Sequence, residues 1–205
     1  MYFEPIPSLV TRLCLRTASR FARPCGIASF ATRQCGTSSA ASIIPVMNTD
    51  CGTTIRPVDS SDYGLLVHWF GNKEFVEWWG GTPKSPAEVV EKYLGGRSSV
   101  HSFIVEHNGE PCGYMQSWKT NDWEGGIDII LLPEKKGLGI GPRAILRLTE
   151  QLRNQGWTRI IVDPQSQNLS AIRACEKVGF QREHHTDDRI IMVFDPDRTP
   201  KRVEL

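Results

Sequence analysis

Short runs of alternating or continuous apolar residues recur along the chain and predict about seven β-strands. Two of the runs, 100–107 and 110–118, flank Asn108-Gly109, which is the strongest short signal for a hairpin. The run at 125–132 is apolar almost throughout, which indicates a strand in the centre of the sheet. The remaining runs lie at 53–58, 158–163, 180–185 and 189–194.

Four segments between these strands carry apolar residues at helical spacing. Ser85 opens a capping box, with proline at the first helical position. Asn168 caps the last helix, and Gly179 ends it. The four segments are about 60–70, 85–94, 141–154 and 169–178.

The order of these elements predicts a single α+β domain. Strand, two helices, three strands, helix, strand, helix and two strands give a mixed, mostly antiparallel sheet of about seven strands flanked by four helices. Parallel pairing is expected only inside the βαβ unit at 125–163, whose crossover should be right-handed.

Composition narrows the class of protein. The chain has 205 residues, of which 40% are hydrophobic and 23% are charged, and its net charge is +1, as in soluble globular proteins. No run approaches the roughly 18 apolar residues of a membrane span, and no global field favours nucleic acid, so neither is an expected partner. Residues 1–46 carry five arginines against one acid, which leaves the rest mildly acidic and better suited to a cationic substrate.

The first 46 residues are rich in arginine and serine and contain no lysine. This composition is typical of a mitochondrial transit peptide, and the alternatives are a disordered leader or synthesis that starts at Met47. We expect the folded domain to be 47–205. A cytoplasmic location is expected, or a mitochondrial one if the leader targets the chain.

The six cysteines form no CxxC pair and have no zinc-ligand spacing, so reduced thiols and no metal are expected. The five histidines likewise form no pair with metal-ligand spacing that a third ligand supports.

Glycines at 137, 139 and 141 separate the apolar run at 125–132 from the third helix. A strand, a glycine bend and a helix start together form the geometry that binds phosphate, because unpaired N–H groups point at the anion. A P-loop is excluded because no Lys-Ser or Lys-Thr follows. A dinucleotide fold is disfavoured, because Pro142 occupies the position of the third glycine and the chain has one βαβ unit.

The stretch from Glu134 to Gly139 resembles the Q/R-x-x-G-x-G/A signature of the GNAT N-acetyltransferases, with Glu134 in place of Gln or Arg. "VEWWGG", "NGEPCGYMQSW", "GIDIIL" and "VDPQSQNLSAIRACEKVGF", in this order, resemble the aminoglycoside 6'-N-acetyltransferases. The resemblance covers residues 53–195.

This resemblance implies a GNAT fold that binds acetyl-CoA. The parallel strands of the βαβ unit would splay, and the freed backbone of Ile130, Leu131 and Leu132 would pair with the pantetheine arm. The N–H of Leu131 would polarise the thioester carbonyl. Asn168 would also bind the arm, unless it only caps its helix. The residues expected around the diphosphate are Lys135, Lys136, Gly137, Leu138, Gly139, Ile140 and Gly141.

The acceptor amine is expected beside two carboxylates. Asp128 lies between Ile127 and Ile129, an unusual place for a charge unless it faces a cleft, and Asp163 ends the next strand. By resemblance we expect Asp128 to act as the base or principal anchor and Asp163 as a second anchor. The alternative for Asp163 is a turn acid before proline.

Each of three further residues has two alternative interpretations. Trp78 and Trp79 could wall the amine pocket or plug the core at a helix end. Cys175 stands where many GNAT enzymes have a tyrosine that protonates the leaving thiolate. It could take that role or be a buried structural cysteine.

The resulting hypothesis is direct acetyl transfer from acetyl-CoA to a primary amine, with an aminoglycoside-like amino sugar as the acceptor. The alternatives are another small amine of the hydroxylysine siderophore type, a protein N-terminus, or a CoA-binding module without catalysis. A monomer or a homodimer is expected.

Overall fold

The computed structural model describes residues 52–95 and 99–196, so the predicted boundary at residue 47 and the leader lie outside the described residues. One seven-stranded sheet has the order β1-β2-β3-β4-β5-β7-β6. Its strands are β1 (Thr53–Pro57), β2 (Val100–His107), β3 (Glu110–Lys119), β4 (Glu124–Leu131), β5 (Arg159–Val162), β6 (Phe180–His185) and β7 (Ile190–Phe194).

All neighbouring strands pair antiparallel except β4 and β5, which are parallel. The predicted mixed sheet with one parallel pair is therefore confirmed. Asn108 (φ 54°) and Gly109 (φ 81°) form the tight turn between β2 and β3. Both φ values are positive, as the two central residues of a type I′ hairpin require.

The helices of the described residues are α1 (Tyr63–Phe70), α2 (Lys73–Val76), α3 (Pro86–Val89), α4 (Ile140–Asn154) and α5 (Leu169–Val178). A wider helical turn, Val90–Leu94, continues α3. The capping box at Ser85, the cap at Asn168 and the left-handed Gly179 are all present, as predicted.

The short helix α2 was not predicted. Asn72 caps it by accepting hydrogen bonds from the backbone N–H groups of Glu74 and Phe75. A four-residue helix is too short to show a repeating apolar face, so hydrophobic periodicity does not reveal it.

Side-chain alternation divides the core between the two faces of the sheet. Ile127 belongs to a large cluster under α4 and α5, which we call the α4–α5 core. Ile130 and Tyr114 belong to a second cluster under α1 to α3, the α1–α3 core. Since successive residues point to opposite faces, Asp128 lies on the same face as Ile130 and Tyr114.

The parallel strands separate after three residue pairs. Glu124, Gly125 and Gly126 pair with Arg159, Ile160 and Ile161, after which β4 runs on for five residues. The predicted splay is therefore present, and it opens the edge of β4 between Ile127 and Leu131. In the described part of the chain, none of the helices has the length and apolarity needed to cross a membrane.

Candidate active site

A glycine bend joins the open end of β4 to α4. Gly137 (φ 81°) and Gly139 (φ 71°) adopt the left-handed backbone conformation that residues other than glycine rarely adopt. Gly139 is also the residue that caps α4, and it provides no side chain to bond the first helical N–H groups. Ile140 anchors the helix start in the α4–α5 core. The bend therefore has the N–H donors and the positive end of the helix dipole that an anion site requires.

At the predicted diphosphate site, the expectation for the Lys136 backbone needs correction. The N–H groups of Lys135 and Lys136 donate hydrogen bonds to the carbonyls of Leu132 and Pro133, respectively, in a short helical turn. The Lys136 N–H is therefore not free to bind a diphosphate, so this lysine could contribute only its charge there. The Lys135 ammonium group lies 3.3 Å from Glu110 Oε2, whereas Lys136 and Leu138 are exposed beside the bend.

Backbone alternation on β4 selects which N–H groups face the splay. The N–H of Leu132 donates to Cys112 O, and Thr120 N–H donates to Glu124 O, so even-numbered residues of this strand bond to β3. Leu131 and Ile129 therefore point their N–H and C=O groups toward the splay. The position of Leu131 agrees with its expected role, which stays a prediction, whereas the expectation that the backbones of Ile130 and Leu132 are freed is wrong.

The open strand end and the helix start lie against each other. A Cβ placed on Gly141, in the first turn of α4, would lie 3.7 Å from Leu131 Cδ1. Asn168 uses its Oδ1 to accept the N–H of Ala171 at 3.1 Å, which is the capping role. Its amide nitrogen is a further donor at the start of α5.

Asp128 lies beside the splay on the α1–α3 face. Gln116 Nε2 donates to Asp128 Oδ2 at 2.8 Å, and the Trp118 ring occupies the space that a Cβ on Gly126 would fill. Burial raises the pKa of Asp128, while Gln116, Arg189 and Trp118 oppose that rise. The carboxylate is thus a better proton acceptor than an exposed aspartate.

A row of hydrogen bonds across β2, β3 and β4 orients Gln116. Tyr114 Oη donates to Gln116 Oε1 at 3.1 Å, and Tyr114 Oη and Ser102 Oγ are 2.7 Å apart. Because the Tyr114 proton is directed to Gln116, the amide nitrogen of Gln116 is the end that faces Asp128. The sequence did not identify Gln116, although the register of the Asn108-Gly109 hairpin places it on the acidic face.

Asp163 follows β5 and is buried on the same side as Asp128. Arg189 Nη1 donates to Asp163 O at 3.0 Å and lies 3.3 Å from Asp163 Oδ2. Burial and the charge of Asp128 raise the pKa of Asp163 to about 6, against the opposing effect of Arg189. The structure therefore brings the two predicted carboxylates into one electrostatic site and adds Arg189, which the sequence did not suggest.

The two tryptophans differ. Trp79 packs edge-on against Tyr114 and Phe70 and donates Nε1 to Tyr93 Oη at 3.2 Å, so it is part of the aromatic cluster. Trp78 is exposed. Trp79 thus supports the acidic face from within the α1–α3 core, and Trp78 is the residue still able to contact a ligand from solvent.

Cys175 is buried in the α4–α5 core, and burial raises the pKa of its thiol to about 12. This position fits the structural interpretation, and its proposed role as an acid stays a prediction. Among residues 52–95 and 99–196, no group of three or more His, Cys, Asp or Glu side chains could hold a metal ion.

Comparison with known proteins identifies the family. Residues 59–188 match the family described as "Acetyltransferase (GNAT) domain". The aminoglycoside N(6')-acetyltransferases type 1 of Klebsiella pneumoniae and of Serratia marcescens are each 36% identical to this chain over 157 residues. Each match covers 67% of this chain and 78% of the relative.

Solved structures give the same result. The structure of AAC(6')-Ib with paromomycin and acetyl-CoA aligns with a TM-score of 0.64 and 32% identity, covering 71% of this chain and 94% of that one. The spermidine N-acetyltransferase of Vibrio cholerae, at 21% identity and a TM-score of 0.64, supports the fold alone. The predicted GNAT fold and acetyltransferase class are confirmed, and the chain belongs to the GNAT acetyltransferase family.

Proposed function

We propose that this protein transfers the acetyl group of acetyl-CoA to a primary amine of a small cationic molecule, with an aminoglycoside-like amino sugar as the acceptor. The observation that carries the proposal is the position of Asp128. It lies on the strand whose open edge and glycine bend would hold the acyl carrier, and it shares its face with a second carboxylate. The relatives that act on aminoglycosides support the same acceptor class.

The glycine bend fits the diphosphate of the carrier. The cradle would consist of the N–H groups between Gly137 and Gly141, where a Cβ on Gly137 would meet open space. Lys136 is exposed beside the bend and would add cationic charge. The pantetheine arm would pair with Leu131, and the amide nitrogen of Asn168 would bind it from the start of α5.

Acetyl-CoA supplies a thioester, whose carbonyl carbon accepts the amine. The Leu131 N–H faces the splay and would donate to the carbonyl oxygen as negative charge develops there. Asp128 would anchor the acceptor ammonium and accept its proton, directly or through water, before attack. Gln116 would keep the accepting oxygen oriented. Attack is direct, with no acyl-enzyme, and the second amine proton would pass to the departing thiolate, directly or through water.

Loss of the thiolate does not require Cys175 in this scheme. A buried thiol with a pKa of about 12 holds its proton, and it packs among apolar side chains. The coenzyme thiol has a modest pKa of its own, so the thiolate can leave without an acid.

The acceptor could instead be another small amine, such as a hydroxylysine-type siderophore precursor, or a protein N-terminus. A protein that binds acetyl-CoA without turnover is the remaining alternative. We favour the amino sugar, because an acidic site beside one reacting position suits an acceptor with a cationic amine and further polar groups. A monomer or a homodimer, acting in the cytoplasm or in mitochondria, stays the expectation.

An Asp128→Asn variant tests the proposal. It should bind acetyl-CoA as tightly as the wild type and lose at least about 100-fold in kcat/KM, because the base is gone and the amide keeps its size. Release of CoA thiol with an amino sugar measures turnover, and calorimetry measures carrier binding. Asp122→Asn, an exposed aspartate in the β3–β4 connection, is the matched control and should keep full activity. Turnover that is unchanged in Asp128→Asn would remove the base assignment.

A further inference from the structure

The tip of the β6–β7 hairpin is fixed against the segment that follows β5. Ser166 N–H donates to Asp188 O at 2.8 Å, and Ile190 N–H donates to Pro164 O at 3.0 Å. Thr186 closes the tip through hydrogen bonds with the backbone of Arg189. These contacts belong to the backbone and to Thr186, so the position of the tip does not depend on the Arg189 side chain.

From this tip the Arg189 side chain reaches back to Asp163. Its Nη1 bonds both the backbone carbonyl and Oδ2 of Asp163, at 3.0 Å and 3.3 Å. The second acidic group near it, Asp188 Oδ2, is more distant, at 3.9 Å from Nε. Arg189 also acts electrostatically on Asp128. The guanidinium of Arg189 therefore interacts with both carboxylates of the proposed acceptor site.

We propose that Arg189 determines which amines the enzyme accepts. Its guanidinium occupies the cation position at Asp163, so the cleft takes an acceptor that presents one ammonium group, at Asp128. An acceptor with a second ammonium close to the reacting amine is selected against. This inference rests on the proposed function and narrows its acceptor class.

The charge balance gives the reason. Asp128 and Asp163 carry two negative charges when ionised, and Arg189 neutralises one of them. A single ammonium group completes the neutralisation. A second, neighbouring ammonium must displace the guanidinium from a buried partner or lie beside it, and like charges placed together in a partly buried site weaken binding strongly.

Two simple glycosides test the inference because they differ by one ammonium group. Methyl 6-amino-6-deoxyglucoside carries one, and methyl 2,6-diamino-2,6-dideoxyglucoside carries a second on the same ring. Their dissociation constants are measured by calorimetry with the CoA-bound protein at about pH 7, where the 2-amino group of the diamine is still largely protonated. Asp163 is mostly ionised there because its pKa is about 6. Thiol release from acetyl-CoA is measured in parallel.

The variant is Arg189→Gln, which retains a hydrogen-bond donor without the charge. Arg182→Gln is the matched control. It removes the same charge from an exposed pair with Glu176, on the α4–α5 side of the sheet. We expect the wild type to bind the monoamine more tightly than the diamine. Arg189→Gln should shift this preference toward the diamine by about tenfold, and Arg182→Gln by less than about twofold.

Each outcome decides the question. An unchanged preference in Arg189→Gln, or an equal loss of affinity for both glycosides, overturns the inference. The inference is also overturned if neither glycoside binds to the wild type or to either variant. If both glycosides bind with the predicted shift but no thiol is released, the inference stands and the proposed transfer to amino sugars fails. If thiol is released without a shift, the proposed function stands and the role of Arg189 is removed.

Discussion

Asp128 and Asp163 show how burial sets the chemistry of single residues in this protein. Removing a carboxylate from water disfavours its charged form, and a second carboxylate nearby adds repulsion. Both effects raise the pKa of Asp163 to about 6, far from the 3.8 of a free side chain. A site that holds such a group in its charged form at neutral pH stores unfavourable energy, which a cationic ligand relieves.

We therefore predict that Asp163→Asn stabilises the protein near neutral pH. The folded state binds the Asp163 proton more tightly than the unfolded chain, so the wild type loses stability as the pH rises from about 4 to about 6. Above pH 6 the full cost is present, and a shift of this size corresponds to between about 1 and 3 kcal/mol. Urea unfolding at several pH values measures the gain, which should shrink as the pH falls toward 4.

The same variant should bind cationic acceptors more weakly, because a negative charge is removed from the proposed acceptor site. Asp187→Asn, an exposed aspartate in the nearby hairpin connection, provides the control and should change stability by less than about 0.5 kcal/mol. A variant Asp163→Asn that is less stable than the wild type at pH 8 would show that the ion pair with Arg189 outweighs the cost of burial.

Sequence alone identified some of these residues and not others. Asp128 was found because a carboxylate between two isoleucines of a strand is unusual, whatever the fold of the rest of the chain. Arg189 was missed because its significance depends on Asp163, 26 residues earlier, and on a hairpin tip that folds back onto the segment after β5. Contacts of this kind depend on strand pairing, which local patterns do not encode.

At the scale of elements, the two glycines at the start of α4 have different roles: one is required by the fold, and the other is not. Gly139 needs its left-handed φ, but Gly141 lies within the first turn of α4, where a Cβ meets Leu131 Cδ1 at an ordinary 3.7 Å. The fold therefore permits alanine at position 141. The absence of a side chain there would be explained by the close approach of a ligand, as proposed for acetyl-CoA.

We predict that Gly141→Ala raises the stability of the protein and weakens its binding of acetyl-CoA. Alanine is favoured over glycine in a helix by about 0.5–1 kcal/mol, so the melting temperature should rise by a few degrees. The added methyl group would stand between the helix N–H groups and the diphosphate, and the dissociation constant should rise about tenfold. Thermal unfolding and calorimetry measure the two effects.

Gly139→Ala and Gly156→Ala provide the comparison. Both replace a glycine with positive φ, at 71° and 93°, so both should lose about 1 kcal/mol of stability. Gly156 follows the other end of α4, so only Gly139→Ala should also weaken acetyl-CoA binding. Equal carrier affinity in Gly141→Ala and the wild type would place the diphosphate away from the bend.

The boundaries of most helices and strands could be predicted from the sequence, because they are set by single turn and capping residues. Asn108-Gly109, Ser85 and Gly179 each act within a few residues of chain, so their effects were predictable. The backbone groups of β4 that face the splay were only partly predicted. They depend on which residues of β3 and β4 exchange hydrogen bonds, and that parity is set by the register of the pair.

For the whole molecule, the question is how much of the chain the enzyme needs. The sheet lies between Thr53 and Phe194, and the family match covers residues 59–188. The outermost strand β1 is integrated into the domain. It pairs with β2 along its whole length, and Thr53 Oγ1 accepts a hydrogen bond from Arg143 Nε on α4 at 3.2 Å.

We therefore predict that a chain beginning at Met47 folds and binds acetyl-CoA like the full-length protein. Residues 47–205 contain every strand and helix of the described domain, so its melting temperature should lie within about 2 °C of the full-length value and its carrier affinity within about twofold. A chain beginning at Val58 is the control. It lacks β1, exposes the edge of β2 and leaves Arg143 without Thr53, so it should unfold cooperatively at a much lower temperature or aggregate. Loss of folding in the chain that starts at Met47 would show that residues 1–46 belong to the domain and would exclude a removable leader.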